Sequence, residues 1–232
     1  MSQRHPGARK AKQASQAAPD DVFVAKVLHA GKWAEANQQL VTVLIVVVAI
    51  AFAGFLYYRS YRGSLTEQAA QQLEVVYQSV AIQDMEGAIG QLVTFLERFS
   101  GTPYEGEARL LLGDLYLRSD RAEQSQAVLE PLGTASRSPI ELQGASLLAA
   151  AYEDLGRSDQ AEATYLRIAD RSDMDFQVRN ALAAAARIRA DRGDLTGAVE
   201  LYERALEGLD PDAPERGLYE MRIAEIRAAT SA

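Results

Sequence analysis

Six residues recur in the chain 110 positions apart, first as Asp84-Met-Glu-Gly-Ala88-Ile and then as Asp194-Leu-Thr-Gly-Ala198-Val. The aspartate, the glycine and the alanine coincide, and the last residue is aliphatic in both copies. Two intermediate copies lie around Ser125 and Ala161, so the small residue recurs at spacings of 37, 36 and 37. A large side chain follows each small residue by four positions. These large residues are Leu92, Leu129, Tyr165 and Tyr202. A fixed period of this length indicates a repeat architecture.

Each period predicts two helices joined by a turn. Apolar residues between Leu110 and Tyr116 are spaced as on one face of a helix. Gly156 and Gly193 fall where the two helices of a pair must turn. Prolines mark the connections between successive pairs, where a proline can begin a helix without interrupting one. They are Pro103, Pro139 and Pro211. One pair cannot bury its apolar face alone, so we expect the pairs to stack around a common core.

The chain resembles the tetratricopeptide repeat in the first helices of its two middle periods. Leu112-Gly113-Asp-Leu-Tyr116 reproduces the Leu-Gly-x-x-Tyr element of that repeat, and Leu148-Ala149-Ala-Ala-Tyr152 comes close to it. The resemblance covers roughly Gly63 to Ile226, and we place the repeat domain at residues 63–229. It implies an α-solenoid of about four helix pairs, closed by a capping helix. The apolar residues of that last helix are Leu218, Met221, Ile223 and Ile226.

In the tetratricopeptide family the first helix of each pair lines the concave face that holds peptide ligands. Carried over by position, this resemblance implies a peptide-binding groove formed by ten residues. They are Leu110, Asp114, Leu117, Gln143, Ser146, Ala150, Glu153, Asp154, Arg187 and Asp191. Such a groove has small, mildly apolar and acidic side chains, which suit an extended segment of basic or neutral character. The lysines of the carboxylate-clamp subtype are missing, because no lysine follows Lys32.

The run from Leu40 to Tyr58 contains nineteen residues and no charge. As a helix it would span about 28 Å, close to the thickness of the hydrocarbon core of a bilayer. Trp33 on one side and Tyr61 on the other are placed like the aromatic residues of a membrane interface. We therefore predict an all-α fold class in which one transmembrane helix at 40–58 precedes the tetratricopeptide-type α-solenoid.

Two alternatives to a membrane anchor remain for this run. It could be a signal peptide cleaved after Ala53, since Ala51-Phe-Ala53 has the small-x-small form of a cleavage site, or it could be a buried core helix. The 39 residues before the run would make an unusually long n-region, and the apolar stretch continues through Phe55 and Leu56. Both features favour a retained anchor.

The charges on the two flanks predict the orientation. Six Lys/Arg residues precede the run, whereas only Arg59 and Arg62 follow it closely. This asymmetry predicts a cytoplasmic N-terminus and a periplasmic repeat domain at a bacterial inner membrane. Residues 1–39 then form a cytoplasmic tail. Its first 19 residues have a disordered composition, and a short amphipathic helix is expected after Asp20. The stripe of that helix is Phe23, Val27, Ala30 and Ala34.

The residue inventory argues against catalysis and against nucleic-acid binding. From Arg59 onward the chain has 18 basic and 29 acidic residues, a net charge of −11, which repels phosphate backbones. The chain has no cysteine, and both histidines, His5 and His29, precede the apolar run. The common general base, the thiolate nucleophile and most transition-metal ligands are therefore missing. We predict no catalytic residue, no metal site and no cofactor. A membrane enzyme would have to work with carboxylates alone.

The layout of a short tail, one anchor and an extracytoplasmic tetratricopeptide domain resembles the YfgM family, ancillary subunits of the bacterial Sec translocon. That resemblance implies a protein held beside the translocation channel, where it contacts translocon subunits, exported chains and periplasmic chaperones. The alternative is a structural adaptor in an envelope-assembly or cell-division complex, which would bind one fixed partner.

Overall fold

The computed structural model describes Glu35, residues 37–134 and residues 138–230. Within these residues the chain forms nine helices and no strand, which confirms the predicted all-α repeat fold. The helices are α1 (Gln38–Ala81), α2 (Met85–Arg98), α3 (Glu105–Arg118), α4 (Ala122–Gly133), α5 (Pro139–Asp154), α6 (Ser158–Arg171), α7 (Asp175–Asp191), α8 (Leu195–Leu206) and α9 (Pro214–Thr230). They make four consecutive pairs and one last helix. The chain divides into two compact units, residues 1–60 and residues 61–232.

The apolar run lies in α1, a helix of 44 residues. An 18-residue window of this helix has a mean hydropathy of 2.8, and none of the window is buried. By length and composition α1 is therefore able to cross a membrane. The helix does not end at Tyr58 but continues to Ala81, and its residues from Tyr61 onward belong to the repeat unit. The amphipathic stripe expected from Phe23 to Ala34 lies outside the described residues, as does the segment 1–19.

The small residues that mark the period are the points where the helices of a pair meet. Ala88, Ser125, Ala161 and Ala198 are all 0% exposed. The second pair shows why small residues are needed. A Cβ added to Gly113 of α3 would lie 2.5 Å from Cγ of Leu129 on α4, so the leucine fills the space that the glycine leaves. Beside this contact the Ser125 hydroxyl donates a hydrogen bond of 2.9 Å to the Gly113 carbonyl oxygen.

The turn inside each pair has the same backbone conformation in all four repeats. Gln83, Asp120, Gly156 and Gly193 have φ angles of 61°, 56°, 69° and 84°, and they follow the same spacings of 37, 36 and 37. A left-handed residue at this point lets the chain reverse direction after the first helix. The sequence marks the turn with glycine only in the last two repeats. Glutamine and aspartate adopt the same conformation at a cost, because their Cβ atoms crowd the backbone.

Arginine side chains join each repeat to its neighbour. Arg121 pairs with Glu86 between the first two repeats, and Arg157 donates to Gln126 at 2.8 Å between the second and third. The third and fourth repeats share a denser network. There the nearly buried carboxylate of Glu162, 11% exposed, accepts from Arg189 at 2.7 Å and also from Arg192. Charge-assisted contacts of this kind add direction to the stacking of apolar surfaces.

The last helix packs through a different stripe from the one predicted. Tyr219 and Ile223 are buried, and Tyr219 lies 6.2 Å from Tyr202 between ring centroids. The predicted Leu218 and Met221 are instead 51% and 48% exposed. The inward face of α9 follows positions 219, 223 and 226, and a helix turns Leu218 and Met221 away from that face. The capping helix is therefore present, but half of its expected contact residues face solvent.

We expect substitutions at the left-handed turn residues to change the free energy of unfolding in opposite directions, depending on whether the turn has glycine. Gly156→Ala should lower the free energy of unfolding by about 1 kcal/mol, because alanine is strained at positive φ. Gln83→Gly should raise it by up to about 1 kcal/mol, because it relieves the same strain. The control is Gly90→Ala on the surface of α2, where a Cβ meets nothing within 4 Å and alanine should stabilise the helix. Urea unfolding of the full chain in detergent, followed by circular dichroism, measures all three. Equal gains for Gly156→Ala and Gly90→Ala would contradict the assignment.

Glu162→Gln should destabilise the chain by about 2 kcal/mol, because it removes the charge of a nearly buried carboxylate that two partly exposed arginines share. The matched control is Glu203→Gln, which breaks the pair with Arg227 at 2.5 Å, where both side chains are at least half exposed. That substitution should change the free energy of unfolding by less than about 1 kcal/mol. The same unfolding measurement compares them. Similar values for the two variants would mean that the Glu162 network adds nothing beyond a surface ion pair.

Candidate functional site

A groove of about 890 Å³ opens on the face formed by the first helices of the repeats. Residues from α3, α5, α6 and α7 line it, together with Met174 just before α7. The lining residues are Glu107, Leu110, Pro139, Ile140, Gln143, Ser146, Tyr165, Met174, Phe176, Gln177, Asn180, Ala181 and Ala184. The first turn of α5 forms one wall of the groove, because Pro139 and Ile140 line it. Ser138 and Glu141 form a reciprocal capping box, and Pro139 occupies the first turn, so the N-terminal end of α5 is well defined beside the groove.

The apolar part of the groove surrounds Phe176. This side chain is 54% exposed, which is unusual for a phenylalanine in the repeat unit. Ile140, Met174 and Leu110 line the same groove. Ala181 and Ala184 have short side chains, which leave the groove open along α7. An open groove with an exposed aromatic ring offers a place for an apolar side chain of a partner to leave water.

Three polar side chains occupy equivalent positions on successive first helices. Glu107, Gln143 and Asn180 follow each other at spacings of 36 and 37, the period of the repeat, and all three line the groove. Gln143 and Asn180 are exposed, and neither side chain hydrogen-bonds to another described residue. An amide presents both donors and an acceptor, so it can bond to the N–H and C=O groups of an extended main chain.

Glu107 is the one acidic or basic side chain among the residues that line the groove. It accepts a hydrogen bond from the Tyr77 hydroxyl, and burial together with this carboxylate raises the pKa of Tyr77 to about 12. Tyr165 likewise donates to Oε1 of Glu153 at 2.9 Å, and burial followed by the Glu153 charge raises the pKa of its phenol. Glu153 in turn pairs with Arg187, which raises the pKa of that guanidinium. The phenols of Tyr77 and Tyr165 therefore stay protonated at neutral pH, and the Arg187 guanidinium stays charged.

Three of the ten residues predicted for the groove line it, namely Leu110, Gln143 and Ser146. Glu153 lies one contact behind the lining, through its hydrogen bond to Tyr165. Asp114 pairs with Arg118 on its own helix at 2.7 Å. Arg187 lies 3.8 Å from Asp191, and both are exposed. The others lie outside the lining. They are the half-buried Leu117 and Ala150 and the exposed Asp154.

The groove lies nearer to the N-terminal ends of α5 and α7 than the sequence suggested. Asn180 and Glu107 could have been found by moving one period from Gln143 in either direction. Phe176 and Met174 carry no such signal, because they lie in or beside the short connection between α6 and α7, where the repeats differ in length. Among the described residues, no three carboxylates or histidines are grouped so that they could hold a metal ion.

Comparison with known proteins supports the fold. The tetratricopeptide repeat-like domain matches the chain over residues 31–228. No curated protein sequence matches it. A tetratricopeptide repeat protein from Parabacteroides merdae superposes with a TM-score of 0.59 at 15% identity, over 69% of this chain and 60% of that one. This chain therefore spans less than two thirds of that protein.

Two further crystal structures share the architecture. Repeats described as a kinesin light chain of Podosopora anserina superpose with a TM-score of 0.58 at 18% identity, over 72% of this chain and 88% of theirs. The MamA protein gives a TM-score of 0.58 at 15% identity, over 70% of this chain and 82% of its own. At these identities the similarity concerns the fold alone. Because the domain match extends over most of its length, the chain belongs to the tetratricopeptide repeat-like family.

Proposed function

We propose that this chain is a membrane-anchored protein-binding module whose groove holds an extended segment of another protein. The observation that carries the proposal is the combination of exposed Phe176 with the unbonded amides of Gln143 and Asn180. An apolar contact provides affinity for many sequences, and amides can bond to any main chain. The groove therefore suits partner segments that are extended. It does not require the side chains of those segments to carry a particular charge.

The proposed location follows from α1 and from the charges beside it. The segment Leu40–Tyr58 would anchor the chain in a bacterial inner membrane, with residues 1–39 in the cytoplasm and the repeat domain in the periplasm. In this setting the chain would act as an ancillary subunit of the Sec translocon. Its partners would be translocon subunits, exported chains that are still extended, and periplasmic chaperones. No enzymatic activity is part of this proposal.

The natural absence of cysteine allows a direct test of the topology. Ser15→Cys and Thr196→Cys each introduce a single thiol, one in the tail and one at an exposed position of α8. A membrane-impermeant maleimide should label Thr196→Cys in spheroplasts and Ser15→Cys only in inverted vesicles, because six Lys/Arg residues precede the apolar run. Labelling of both thiols from the same side would overturn the anchor. Loss of the position-15 thiol of the Ser15→Cys variant from the mature chain would indicate cleavage after Ala53.

A photoreactive residue in the groove tests what the chain binds. Placed at Gln143, it should capture translocon subunits and a range of exported chains in native membranes. Placed at Gln124, an exposed glutamine on α4 outside the groove lining, it should capture several-fold less. Phe176→Ser should reduce the yield from position 143 by about tenfold, because burial of an aromatic side chain contributes at least about 1.5 kcal/mol.

The control for Phe176 is Leu218→Ser, which removes a side chain of similar exposure, 51%, on α9 outside the groove. It should leave the yield unchanged. A single recurrent envelope protein captured at Gln143 would replace the translocon proposal with a dedicated adaptor. Equal capture from Gln124 and Gln143 would show that the groove is not the binding site.

A further inference from the structure

The lining of the groove repeats itself from one first helix to the next. Ile140 and Phe176 are each the second residue of their helix, on α5 and α7, and both line the groove. Gln143 and Asn180 follow them by three and four residues, so each amide lies on the same face of its helix as the apolar residue before it. The groove therefore presents an apolar side chain with an amide on α5, and the same combination again on α7.

The distance between the two combinations is the distance between neighbouring first helices. Small residues bring these helices close together. A Cβ added to Gly106 of α3 would lie 3.1 Å from Cδ1 of Ile140 on α5. In the same layer, α5 and α7 contribute Ala145 and Ala181 to one buried cluster. Helices packed in this way lie about 8–10 Å apart, so a ligand that crosses them meets the same chemistry at intervals of about 8–10 Å.

The conformation called polyproline II matches this interval. It has three residues per turn and a rise of about 3.1 Å per residue, so side chains three positions apart face the same way and lie about 9.3 Å apart. A β-strand does not match, because side chains on one of its faces lie about 6.6 Å apart at the second residue and about 13 Å apart at the fourth. An α-helix places residues seven positions apart at about 10.5 Å, which is close to the interval.

The amides of the groove distinguish polyproline II from an α-helix. Gln143 and Asn180 are exposed, and neither side chain hydrogen-bonds to another described residue. The main-chain groups of an α-helix already bond to one another. A polyproline II segment has no internal hydrogen bonds, and its carbonyl oxygens can accept from the amide N–H groups even where the residue is proline.

We propose that the groove selects polyproline II segments that carry apolar side chains three residues apart. One apolar side chain would pack beside Ile140 and the next against the exposed ring of Phe176, while carbonyl oxygens of the segment accept from Gln143 and Asn180. Exposed aromatic rings are a common feature of grooves that hold this conformation. The inference rests on the proposed function of the groove and adds to it the conformation and the spacing of the ligand.

This ligand class agrees with partners that have not yet folded. Polyproline II is a major conformation of unfolded chains, so a segment of such a chain loses little conformational entropy when it enters the groove in that form. A spacing of three residues between two apolar side chains is a small demand on sequence. The groove would therefore accept short segments of many proteins and reject those that hold a β or α conformation.

Two proline-rich peptides of the same composition test the spacing. Each is about nine residues long, about 28 Å as polyproline II. The two leucines are three positions apart in one peptide and two positions apart in the other. Fluorescence anisotropy with the full chain in detergent measures the dissociation constants. The peptide with the three-residue spacing should bind about tenfold more tightly, because only its leucines can both leave water, and burial of one contributes at least about 1.5 kcal/mol. Equal affinities would overturn the proposal.

A third peptide tests the conformation. It keeps the two leucines three positions apart but has glycine in place of each proline between them. Glycine removes the preference for polyproline II, so this peptide must lose more conformational freedom on binding. It should therefore bind several-fold more weakly than the proline peptide. Equal or tighter binding of the glycine peptide would overturn the proposed conformation.

Variants of the chain show whether the selection takes place in the groove. Phe176→Ser should remove the difference between the two proline peptides, because the second leucine loses its contact. Leu218→Ser on α9 should preserve the difference. The two side chains are 54% and 51% exposed, so both variants should keep the helical circular dichroism of the wild type. A difference that survives in Phe176→Ser would contradict the inference.

The inference and the proposed function can fail separately. Capture of exported chains from position 143, together with equal affinities for the two proline peptides, would overturn the inference and leave the proposed function standing. A preference for the three-residue spacing that Phe176→Ser removes, with no exported chain captured in membranes, would support the inference and overturn the proposed partners.

Discussion

The structure depends on close contact between the two helices of each pair at one small residue. Where Gly113 meets Leu129, even one methyl group on the glycine would force the helices apart. On the second helix of each pair a small residue is fully buried at the period of the repeat, and these residues are Ala88, Ser125, Ala161 and Ala198. Once each pair has formed, its apolar outer faces are buried against the neighbouring pairs, and this stacking joins the four pairs into one unit. The groove is a result of that stacking, since it lies along the first helices of successive pairs.

Much of the architecture could be predicted because the period is written in residues that the packing requires. Small residues such as Ser125, followed by Leu129 four positions later, identify the helix contacts without any structure. The continuous α1 could not be predicted in the same way. The end of the apolar run at Tyr58 looked like a boundary, yet residues 59–64 contain no proline and a helix can continue through Gly63 at a small cost. The amino-acid composition changes at Tyr58, whereas the helical conformation of the backbone continues to Ala81.

The ten predicted groove residues lie on the first helices of the repeats, and three of them line the open groove of the structure. Periodicity identifies which face of a helix looks into a concave surface, and Leu110, Gln143 and Ser146 were found in this way. It does not show how far along the helices the surface opens. That depends on the connection between α6 and α7, which is only three residues long and brings Phe176 beside α5. Connections between repeats are irregular, so the residues that they position carry no periodic signal.

The arginines that join the repeats have a further consequence for the chemistry of the surface. From Arg59 onward every basic residue is an arginine, and there is no lysine, cysteine or histidine. The repeat domain therefore has no side-chain amine, thiol or imidazole. In general, carboxyl groups titrate at about pH 4, phenols titrate at about pH 10, and guanidinium groups stay charged throughout the physiological range. The repeat domain cannot form a disulfide, and the thiolate and imidazole ligands that zinc usually takes are missing from it. Recognition by such a surface would not depend on thiol–disulfide exchange, on zinc held by thiolate or imidazole, or on the titration of an amine or imidazole between about pH 6 and 9.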